Sequence, residues 1–558
     1  MDLVLVGLPG SGKSAVGRRL AGRHHAQFID LDDLVERRVG KPVPEIFAKE
    51  GEAGFRSHER GAVLSLGPAD PDPELRRVIA AGGGTVIDPR NRWLLYRGRF
   101  PVWLDGSAEI LASRLIKSAN VRPLVAGRDT VATLRRLAAD RRRFYAPALQ
   151  ISGSANMDAI LRVIEERMAS GPGPAVTLLR AETAIGHVEI GYGMAAAAVG
   201  AALTRGEARR AILIAEPRTW QVAGAGIAGA LSAGGWPVET IILPRGERAK
   251  RMRVVEEACR KLARLHVDRK ETIVAIGGGA LTDAAGFAAA TYLRGVPIVQ
   301  VPTTLVGQID AALGGKTAVD IPEGKNLVGA FHQPAAFIAD VSFNATLPNR
   351  QRRAALGEVV KMAVLGDERL LELVEEEGAA YARGGPEAIE SGAVAEMVER
   401  CAWAKVEVVT ADAREANLRM TLNLGHTIGH GIEAAAGYKA ILHGEAVAYG
   451  LRGSFAIALA MGLTTAERAG RVVRLLDELG LGVEPPAVTR EAVVAHMATD
   501  KKYAMGRLNW VLPTGSGVVI RSDVPPEAVE AGLVAALRLG SGDRRPAAET
   551  IRPHGGVS

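Results

Sequence analysis

The chain has 558 residues, 47% of them apolar, which is more than one hydrophobic core supports, so two or three domains are expected. The net charge of +7 comes from arginines scattered among acidic residues, and aromatic residues make up only 4%, which argues against a nucleic-acid-binding protein and favours anionic small-molecule ligands. Because no apolar run is long enough to span a membrane, no signal peptide is recognisable, and Cys259 and Cys401 lack the spacing of a disulfide framework or metal site, we expect a soluble cytoplasmic protein without membrane partners.

The first predicted elements are a strand, DLVLV, and a helix, separated by a glycine-rich loop from Gly7 to Ser14. The loop matches GxxxxGK[ST], in which backbone N–H groups hold phosphates, the lysine reaches the outer phosphates and the serine binds Mg²⁺. The strand before and the helix after it are the context that this motif requires. The sequence therefore predicts an ATP site with magnesium. Its expected contact residues are Gly10, Ser11, Gly12, Lys13, Ser14 and Ala15.

Further motifs follow this loop in a definite order. They are FIDLDDLVER, FRSHE, VIAAGGG, NVRPLVAG and RRRFYAPAL. In this order after a P-loop they closely resemble shikimate kinase, over residues 1–168. The resemblance implies a parallel sheet flanked by helices and ATP-dependent 3-phosphorylation of shikimate.

The same resemblance implies a role for individual residues. Lys13 would bind ATP, and Asp30 would join Ser14 at Mg²⁺. Asp32 would accept the hydrogen of the attacking hydroxyl, and Arg122, on a mobile lid, would close over the phosphates. Shikimate would be held by Asp32, Arg56, Gly82, Gly83, Gly84 and Arg141. Two positions depart from the family pattern: Arg143 replaces the proline of R-x-P-x-Y, and Arg114, the candidate for stacking on adenine, is one residue out of register.

A run of small residues, glycine and proline at 169–176 predicts a linker. After it, the strand-like segments VEIGYG, RRAILIAE, VETIILP and ETIVAIGGG alternate with alanine-rich helical stretches, up to residue 346. This alternation is typical of a Rossmann-like parallel sheet with crossover helices. The triple glycine that ends the last of these segments would let a pyrophosphate approach the backbone.

From residue 347 to 540 helices dominate, and the remaining 541–558, rich in glycine, proline and charge, are predicted to be disordered. Glu415, Arg419, Asn423, His426 and His430 are spaced by four, four, three and four residues. On one α-helix they would share an arc of about 80°, which predicts the wall of an active site. Glu358, His426 and His443 would supply one carboxylate and two imidazoles, the ligand set of a catalytic zinc with an open position.

These motifs resemble 3-dehydroquinate synthase over about residues 177–540. The resemblance implies Zn²⁺ or Co²⁺ at Glu358, His426 and His443. It implies NAD⁺ contacts at Glu216, which stands where the family usually has aspartate, and at Glu247, Lys250, Gly278, Gly279, Asp283, Thr303, Thr304, Lys316 and Lys325. It implies substrate binding by Arg294, Asp310, Lys325, Asn326 and Lys502 (or its neighbour Lys501), and catalytic roles for Lys316, Lys361, Lys405, Glu415, Arg419, Asn423 and His430.

The sequence thus predicts a bifunctional enzyme of aromatic amino acid (chorismate) biosynthesis. Its second half would convert DAHP, a seven-carbon phosphorylated keto acid, to 3-dehydroquinate and phosphate, with NAD⁺ regenerated in each turnover. Synthases of this family are commonly homodimers, so a homodimer through the synthase part is expected.

Two alternatives stay open at this point. One is a related small-molecule kinase fused to another sugar-phosphate cyclase or to a polyol dehydrogenase; a dehydrogenase would lack Lys316, Lys325, Asn326 and Arg419, whereas Arg419 and Asn423 separate the cyclases less sharply. The other is a non-catalytic module, whose sign would be a missing lysine, metal ligand or lid arginine, and none is missing.

Overall fold

The computed structural model describes residues 1–117, 129–169, 175–413, 415, 418–498, 503–504 and 507–539. Arg122, Lys501, Lys502 and the predicted 541–558 tail lie outside the described residues. Within them, no helix is both long and apolar enough to cross a membrane. The chain divides into two compact units, and each is described by itself. The first comprises Met1–Arg205, Ala230–Gly235 and Ala336–Ser342, and the second Gly206–Gly229, Trp236–Ala335 and Phe343–Ser558.

Residues 1–205 form seven strands and eight α-helices in their described part. The strands are β1 Asp2–Val6, β2 Gln27–Asp30, β3 Arg77–Ala80, β4 Phe100–Asp105, β5 Leu149–Ser152, β6 Val176–Thr183 and β7 Gly186–Tyr192. The helices are α1 Lys13–Arg23, α2 Leu31–Val39, α3 Val43–Ser65, α4 Pro89–Tyr96, α5 Ala108–Ile116, α6 Thr130–Tyr145, α7 Met157–Met168 and α8 Ala195–Arg205.

A five-stranded sheet in the order β2-β3-β1-β4-β5 is the centre of the first unit, and all its pairs are parallel. All five residues of β1 are buried, as expected for a strand covered by helices on both faces. The predicted parallel sheet flanked by helices is confirmed. The unit also contains the antiparallel β6–β7 hairpin, which begins at Val176.

Residues 206–342 continue with alternating strands and helices. The strands are β8 Ala211–Ala215, β9 Val238–Ile242, β10 Ile273–Gly277, β11 Ile298–Pro302, β12 Lys316–Ile321, β13 Gly324–Phe331 and β14 Ala336–Asp340. The helices are α9 Pro217–Thr219, α10 Ala225–Ala233, α11 Met252–Arg264 and α12 Gly279–Thr291. In the second unit the strands run in the order β11-β10-β8-β9 and are parallel throughout. The predicted parallel sheet with crossover helices is confirmed here too.

The described part of residues 343–539 is mainly helical. Its helices are α13 Asn349–Val364, α14 Glu368–Arg383, α15 Glu387–Glu390, α16 Ala393–Ala411, α17 His426–Ala435, α18 His443–Ala460, α19 Ala466–Glu478, α20 Arg490–Ala498 and α21 Pro526–Leu537. Four short strands form two antiparallel hairpins: β15 Tyr503–Ala504 with β16 Arg507–Leu508, and β17 Trp510–Pro513 with β18 Val518–Arg521. The predicted dominance of helices in this part of the chain is confirmed.

The prediction of one helical wall from Glu415 to His430 is wrong. Glu415 lies outside any helix with a φ of 61°, and Leu418–Asn423 form a 3₁₀ turn. Gly425, with a φ of 75°, breaks the chain direction before α17 begins at His426. A Cβ on Gly425 would lie 3.1 Å from the backbone of Leu451 and Val447 in α18. The close approach of this turn to α18 therefore sets the break.

Candidate active sites

The P-loop of the first unit has the shape that the sequence predicts. Gly7, Gly10 and Gly12 all have positive φ. A Cβ on Gly7 would collide with the carbonyl oxygen of Leu104, and one on Gly10 with that of Leu111. α1 begins at Lys13, so its N-terminus faces the loop. Lys13 Nζ donates to the carbonyl oxygens of Gly7 and Leu8, at 2.8 and 3.0 Å, and so lies across the mouth of the loop.

Asp30 and Ser14, the predicted magnesium residues, are in contact. Ser14 Oγ donates to Asp30 Oδ2 at 2.6 Å, while the other carboxylate oxygen of Asp30 accepts from the backbone N–H of Asp32 and caps α2. The strand β2 ends at Asp30 beside the P-loop sheet, and this places a hydroxyl and a carboxylate together. Such oxygen ligands suit Mg²⁺.

The glycine turn after β3 gathers the predicted shikimate residues. The carboxylate of Asp32 lies against Gly82, and the guanidinium of Arg56 lies against Gly84. Arg141 Nη1 donates to the carbonyl oxygen of Gly83 at 2.8 Å, and the hydroxyl of Tyr145 donates to the same oxygen. One carboxylate and two guanidinium groups, from three other elements, thus lie against this turn. Its glycines leave room for these side chains.

A buried residue beside this turn, Glu59, is not among the residues predicted from the sequence. Its carboxylate accepts from Arg56 Nη1 at 2.8 Å and from Thr85 Oγ1 at 2.6 Å, and it is 1% exposed. Burial raises the pKa of Glu59, an effect that Arg56 and Thr85 oppose. The signal in the sequence was the spacing of three between Arg56 and Glu59, which pairs them on one face of α3.

Arg114 lies near the P-loop. Its Nη2 donates to the carbonyl oxygen of Gly153 at 2.9 Å, and a Cβ on Gly153 would be 3.2 Å from the carbonyl oxygen of Ser11. The helix α5 therefore places this guanidinium close to the predicted nucleotide site, despite the difference in register.

In the second unit, three neighbouring parallel strands end at one edge with predicted nucleotide-binding residues. Glu216 follows β8, Gly278 and Gly279 follow β10, and Thr303 and Thr304 follow β11. Cβ atoms on Gly278 and Gly279 would lie 3.2 Å from Thr304 and 2.9 Å from Ala311, so the chain segments approach closely here. The carboxyl edge of a parallel sheet is where such folds bind ligands.

Lys250 connects two other predicted residues at this edge. Its Nζ donates to Asp283 Oδ2 at 2.6 Å and also to the side-chain oxygen of Asn326. Burial raises the pKa of Asp283 to about 6, although Lys250 opposes the shift. Asn326 itself has a φ of 56° in the β12–β13 hairpin, and its backbone N–H donates to Asp320 at 2.9 Å. Lys250, in the loop before α11, therefore contacts this hairpin.

The three predicted metal ligands converge. Glu358 of α13, His426 of α17 and His443 of α18 each offer one ligand atom, and these atoms all lie within 4.8 Å of one another. His443 Nε2 is 3.0 Å and His426 Nε2 is 3.5 Å from Glu358 Oε1. Glu358 is fully buried, and within the described residues neither of its oxygens accepts a hydrogen bond, although Lys361 Nζ lies 2.6 Å away as an ion pair. A divalent cation fits this donor set.

The second ring nitrogen of each ligating histidine is already committed. His426 Nδ1 is 3.0 Å from the carbonyl oxygen of Leu424, and His443 Nδ1 is 3.0 Å from Glu433 Oε2. Since a carbonyl and a carboxylate both accept hydrogen bonds, each Nδ1 carries the proton, and each Nε2 is directed to the cluster. Glu433 was missed by the sequence analysis. Its signal was its position seven residues after His426, on the same face of α17.

Two buried lysines and an aspartate lie next to the metal ligands. Lys405 Nζ donates to the side chain of Asp310 and, at 2.5 Å, to its carbonyl oxygen, and Lys361 Nζ is 3.5 Å from Asp310 Oδ2. Burial alone would raise the pKa of Asp310, but Lys405 and Lys361 hold it well below its ordinary value. Burial lowers the pKa of Lys405.

Arg419 and Lys316 extend this cationic region. Arg419 is almost completely buried, and its guanidinium donates to the carbonyl oxygens of Gly314 and Ala413 at 2.9 and 2.8 Å. Lys316 Nζ donates to Glu415 Oε2 at 2.5 Å, and Asn423 Nδ2 donates to Glu415 Oε1 at 3.0 Å. Glu415 of the loop therefore contacts Asn423 of the 3₁₀ turn and Lys316 of β12. These predicted polar residues do meet, although they do not come from one helix.

The ring of His430 completes the cluster. Its centroid is 5.1 Å from that of His426 and 5.9 Å from that of His443. Lys325 reaches the same region, where its Nζ donates to Glu433 at 2.9 Å and to Glu247 at 3.2 Å.

Arg294 is not brought to this region within the described chain. It is exposed, with a φ of 64°, in the turn after α12, whereas Gly279 at the other end of that helix belongs to the nucleotide-binding edge. A helix of this length extends about 20 Å.

The fold and the two sites define a P-loop kinase joined to a metalloenzyme with a nucleotide-binding parallel sheet. Sequence models of known families agree: residues 9–168 match shikimate kinase, residues 240–354 match the 3-dehydroquinate synthase N-terminal family, and residues 355–503 match the 3-dehydroquinate synthase C-terminal family.

Individual relatives and solved structures are similar to the chain over a little more than half of its length. The 3-dehydroquinate synthase of Symbiobacterium thermophilum is 41% identical over 335 residues, 60% of this chain and 92% of the relative. That of Pseudomonas aeruginosa is 44% identical over 54% of this chain and 80% of the relative. A 2-epi-5-epi-valiolone synthase structure from Streptomyces hygroscopicus, with NAD⁺ and Zn²⁺ bound, has 32% identity and a TM-score of 0.55, over 59% of this chain and 91% of the other. A 2-deoxy-scyllo-inosose synthase structure, in complex with carbaglucose-6-phosphate, NAD⁺ and Co²⁺, has 25% identity and a TM-score of 0.56, over 64% and 99%.

The chain belongs to the 3-dehydroquinate synthase family. It carries a shikimate kinase in the same polypeptide and is a bifunctional enzyme of the shikimate pathway, with transferase and lyase activities.

Proposed function

We propose that the first activity transfers a phosphoryl group from Mg·ATP to the 3-hydroxyl of shikimate, and that the second converts DAHP to 3-dehydroquinate and phosphate. The observation that carries the synthase assignment is the convergence of Glu358, His426 and His443 within 4.8 Å, beside a cationic region. The observation that carries the kinase assignment is a P-loop beside a glycine turn, against which one carboxylate and two guanidinium groups lie.

Glu358, His426 and His443 would hold the divalent metal, and the residues at the strand ends would hold NAD⁺. When bound, zinc supplies a Lewis acid that polarises a substrate hydroxyl, and NAD⁺ supplies a hydride acceptor that later returns the hydride. Zn²⁺ and Co²⁺ both suit one carboxylate and two imidazole ligands. Glu216 can form the same pair of hydrogen bonds to an adenosine ribose as aspartate, which supports NAD⁺ as the nucleotide.

The cationic residues of the synthase site would bind the phosphate and the carboxylate of DAHP. Arg419 suits this role because its guanidinium donates to backbone carbonyls, and within the described residues no carboxylate accepts a hydrogen bond from it. Lys405 and Lys361 are held rigidly by Asp310, and Lys316 can exchange Glu415 for a substrate anion. Lys250, Lys325, Asn326, Asn423 and His430 would complete the pocket.

Oxidation of one ring carbon acidifies the neighbouring C–H bond, so that phosphate can leave by elimination. The departing phosphate can take up this proton itself, and we assign no protein group as the base. Elimination leaves an enone, and once the hydride has been returned to its ketone carbon, the chain has to hold the resulting enol ether while the ring opens and the enol closes a new ring by aldol addition. Its fixed cations, pre-oriented by buried carboxylates, favour the charge that develops on the substrate.

In the kinase, Lys13 would approach the outer phosphates, and Ser14 and Asp30 would hold Mg²⁺. Asp32 would accept the proton of the attacking hydroxyl, while Arg56 and Arg141 would bind the carboxylate of shikimate in bidentate fashion. Phosphoryl transfer depends mainly on positioning and positive charge, which this arrangement supplies. Arg122, outside the described residues, is proposed to close over the phosphates.

The boundaries 1–168, 169–176, 177–346 and 347–540 remain our proposal for the functional domains. We also propose a homodimer through the synthase part. In support, Arg294 is exposed at the end of α12 away from Gly279, where a second copy could contact it. The use of ATP and NAD⁺ supports a cytoplasmic location.

Separate assays of the two activities test the proposal. Purified protein with Zn²⁺ and NAD⁺ should release phosphate from DAHP, and with Mg·ATP it should phosphorylate shikimate. His426→Ala should abolish the first activity and leave the second, because it removes a metal ligand; Lys13→Ala should do the reverse.

Two outcomes would contradict this assignment. Loss of both activities in either variant would mean that the two sites depend on each other. The alternative of another sugar-phosphate cyclase would be favoured if a sugar phosphate without a carboxylate were cyclised and DAHP were not.

A further inference from the structure

Glu433 is a buried carboxylate with two partners that belong to different parts of the synthase site. It lies in α17, two turns after His426, and is 6% exposed. Its Oε2 is 3.0 Å from His443 Nδ1, and its Oε1 is 2.9 Å from Lys325 Nζ. A glutamate that only filled space in the core would not need two polar partners, each contacted by a different oxygen.

The contact that Glu433 makes with His443 differs from the contact made by the other predicted metal-binding histidine, His426. His426 donates to a neutral backbone carbonyl, which no substitution can remove, whereas His443 donates to a full carboxylate. A carboxylate makes the opposite ring nitrogen a stronger ligand and fixes the orientation of the ring. His443 is the first residue of α18, and its side chain is 36% exposed against 8% for His426, so the orientation of its ring depends more on this contact.

The lysine contact extends to the β12–β13 hairpin. Lys325 Nζ also donates to Glu247 at 3.2 Å and lies 4.6 Å from the centroid of the Tyr438 ring. Lys325 is thereby held between two carboxylates and an aromatic face. Of these groups, Glu433 also contacts a metal ligand, His443.

Resting on the proposed function, we propose that Glu433 is a positioning residue that joins the metal ligand His443 to Lys325. Through it, the metal ligand and the hairpin lysine share a single carboxylate. Metal affinity and the placement of the lysine are then linked.

Zinc binding to the full-length chain without substrate tests this link, measured by competition with a chromophoric chelator. Glu433→Gln should weaken zinc binding about 10- to 100-fold, because a neutral amide supports the ring less well and cannot serve both partners at once. Glu433→Asp, which keeps the charge, should recover part of the affinity.

The matched control is Glu530→Gln, since Glu530 is also mostly buried and is paired with one arginine, Arg490, at 2.6 Å. It should bind zinc within about twofold of the unchanged protein, as a substitution away from the site. Thermal unfolding of the metal-free variants would show whether each is folded.

The lysine half of the link has its own readout. Lys325→Met removes a positive charge near the metal and frees Glu433 for His443, so zinc affinity should rise several-fold. Most of this rise should be lost when Glu433→Gln is already present. An unchanged affinity in Lys325→Met, or equal effects in both backgrounds, would overturn the link.

The outcomes separate this inference from the proposed function. If the unchanged protein and His426→Ala bind zinc equally poorly, the metal site itself is wrong. If the unchanged protein binds one zinc, His426→Ala does not, and Glu433→Gln equals the unchanged protein, then only the role of Glu433 is wrong.

Discussion

At the scale of single residues, the buried charges of the synthase site are paired before any substrate arrives. Lys361 is 1% exposed and lies between Glu358 and Asp310, and Lys405 lies on the other side of Asp310. An unpaired charge at this depth would cost several kcal/mol, so the carboxylates are needed to keep the lysines charged and in place. Arg419 differs, because its guanidinium donates to backbone carbonyl oxygens, and no carboxylate of the described residues accepts a hydrogen bond from it.

In the kinase, the absence of a side chain at Gly82 is a residue-scale requirement. A Cβ there would lie 2.9 Å from Asp32 Oδ1 and 2.9 Å from Thr85 Oγ1. Gly82→Ala should therefore displace Asp32 and raise the KM for shikimate on the order of tenfold or lower kcat, with little effect on the KM for ATP. Steady-state kinetics with each substrate varied would measure this.

Gly22→Ala is the control for that variant. Gly22 lies in α1 with nothing within 4 Å of its Cβ position, so the kinetics should not change. Equal kinetics for Gly82→Ala and Gly22→Ala would show that the turn does not bind shikimate.

At the scale of elements, the P-loop site and the predicted NAD⁺-binding residues lie where strands end. The P-loop follows β1, Asp30 ends β2, and the glycine turn follows β3. In the second unit, Glu216, Gly278 and Thr303 follow β8, β10 and β11. Parallel strands bring their carboxyl ends to one edge, so residues distant in the chain meet without any long-range sequence signal.

The turn at Gly425 is the element-scale feature that positions the first metal-ligating histidine. Gly425→Ala should cost about 1–2 kcal/mol of unfolding free energy from its left-handed backbone. It should also weaken zinc binding, because its Cβ would push the turn away from α18 and move His426. Urea unfolding and chelator competition would measure the two effects.

Gly462→Ala separates the effect of backbone strain on stability from the effect of displacing the turn on zinc binding. Gly462 has a similar φ of 65° but open space at its Cβ position. It should show the cost in stability and keep its zinc affinity; a matching loss of affinity in both variants would argue against a positioning role for Gly425.

At the scale of the whole molecule, each predicted site lies within one compact unit. The P-loop and the glycine turn after β3 belong to the first unit, and the predicted metal ligands with the strand-end residues belong to the second. The first unit nevertheless extends beyond the kinase match to Arg205. Within it, the guanidinium of Arg97 lies 4.9 Å from the Trp93 ring and 5.0 Å from the Tyr192 ring, and the two rings meet edge to face at 5.6 Å.

This aromatic contact predicts that a residue outside the kinase match supports kinase stability. Tyr192→Ala should lower the stability of the first unit by about 1–2 kcal/mol, through loss of the ring pair and of the cation–π contact. Residual shikimate kinase activity after heating would measure the effect. Tyr192→Phe keeps the ring and should behave like the unchanged protein; equal heat resistance of the alanine variant would mean that the contact contributes nothing.

Much of the fold could be predicted because its signals are local. Periodicity and composition predicted β1, β7, β8, β9 and β10 and the change to helices. The P-loop is a contiguous motif whose spacing already contains its geometry. The polar residues from Glu415 to His430 show the limit. Their spacing fits one helix, but packing of Gly425 against α18 broke it, and spacing alone contains no information about that contact.

The sequence by itself determined the two chemistries, because a P-loop lysine, a glycine turn with its arginines, and a carboxylate with two imidazoles are needed as residue types wherever the chain places them. Only the tertiary structure decided how they meet: that Arg141 is the arginine bonded to Gly83, that Glu59 and Glu433 stand behind the predicted residues, and that Arg294 lies away from the others. The physical reason is that hydrogen bonds and ion pairs depend on distances between segments far apart in the chain, and packing sets these distances.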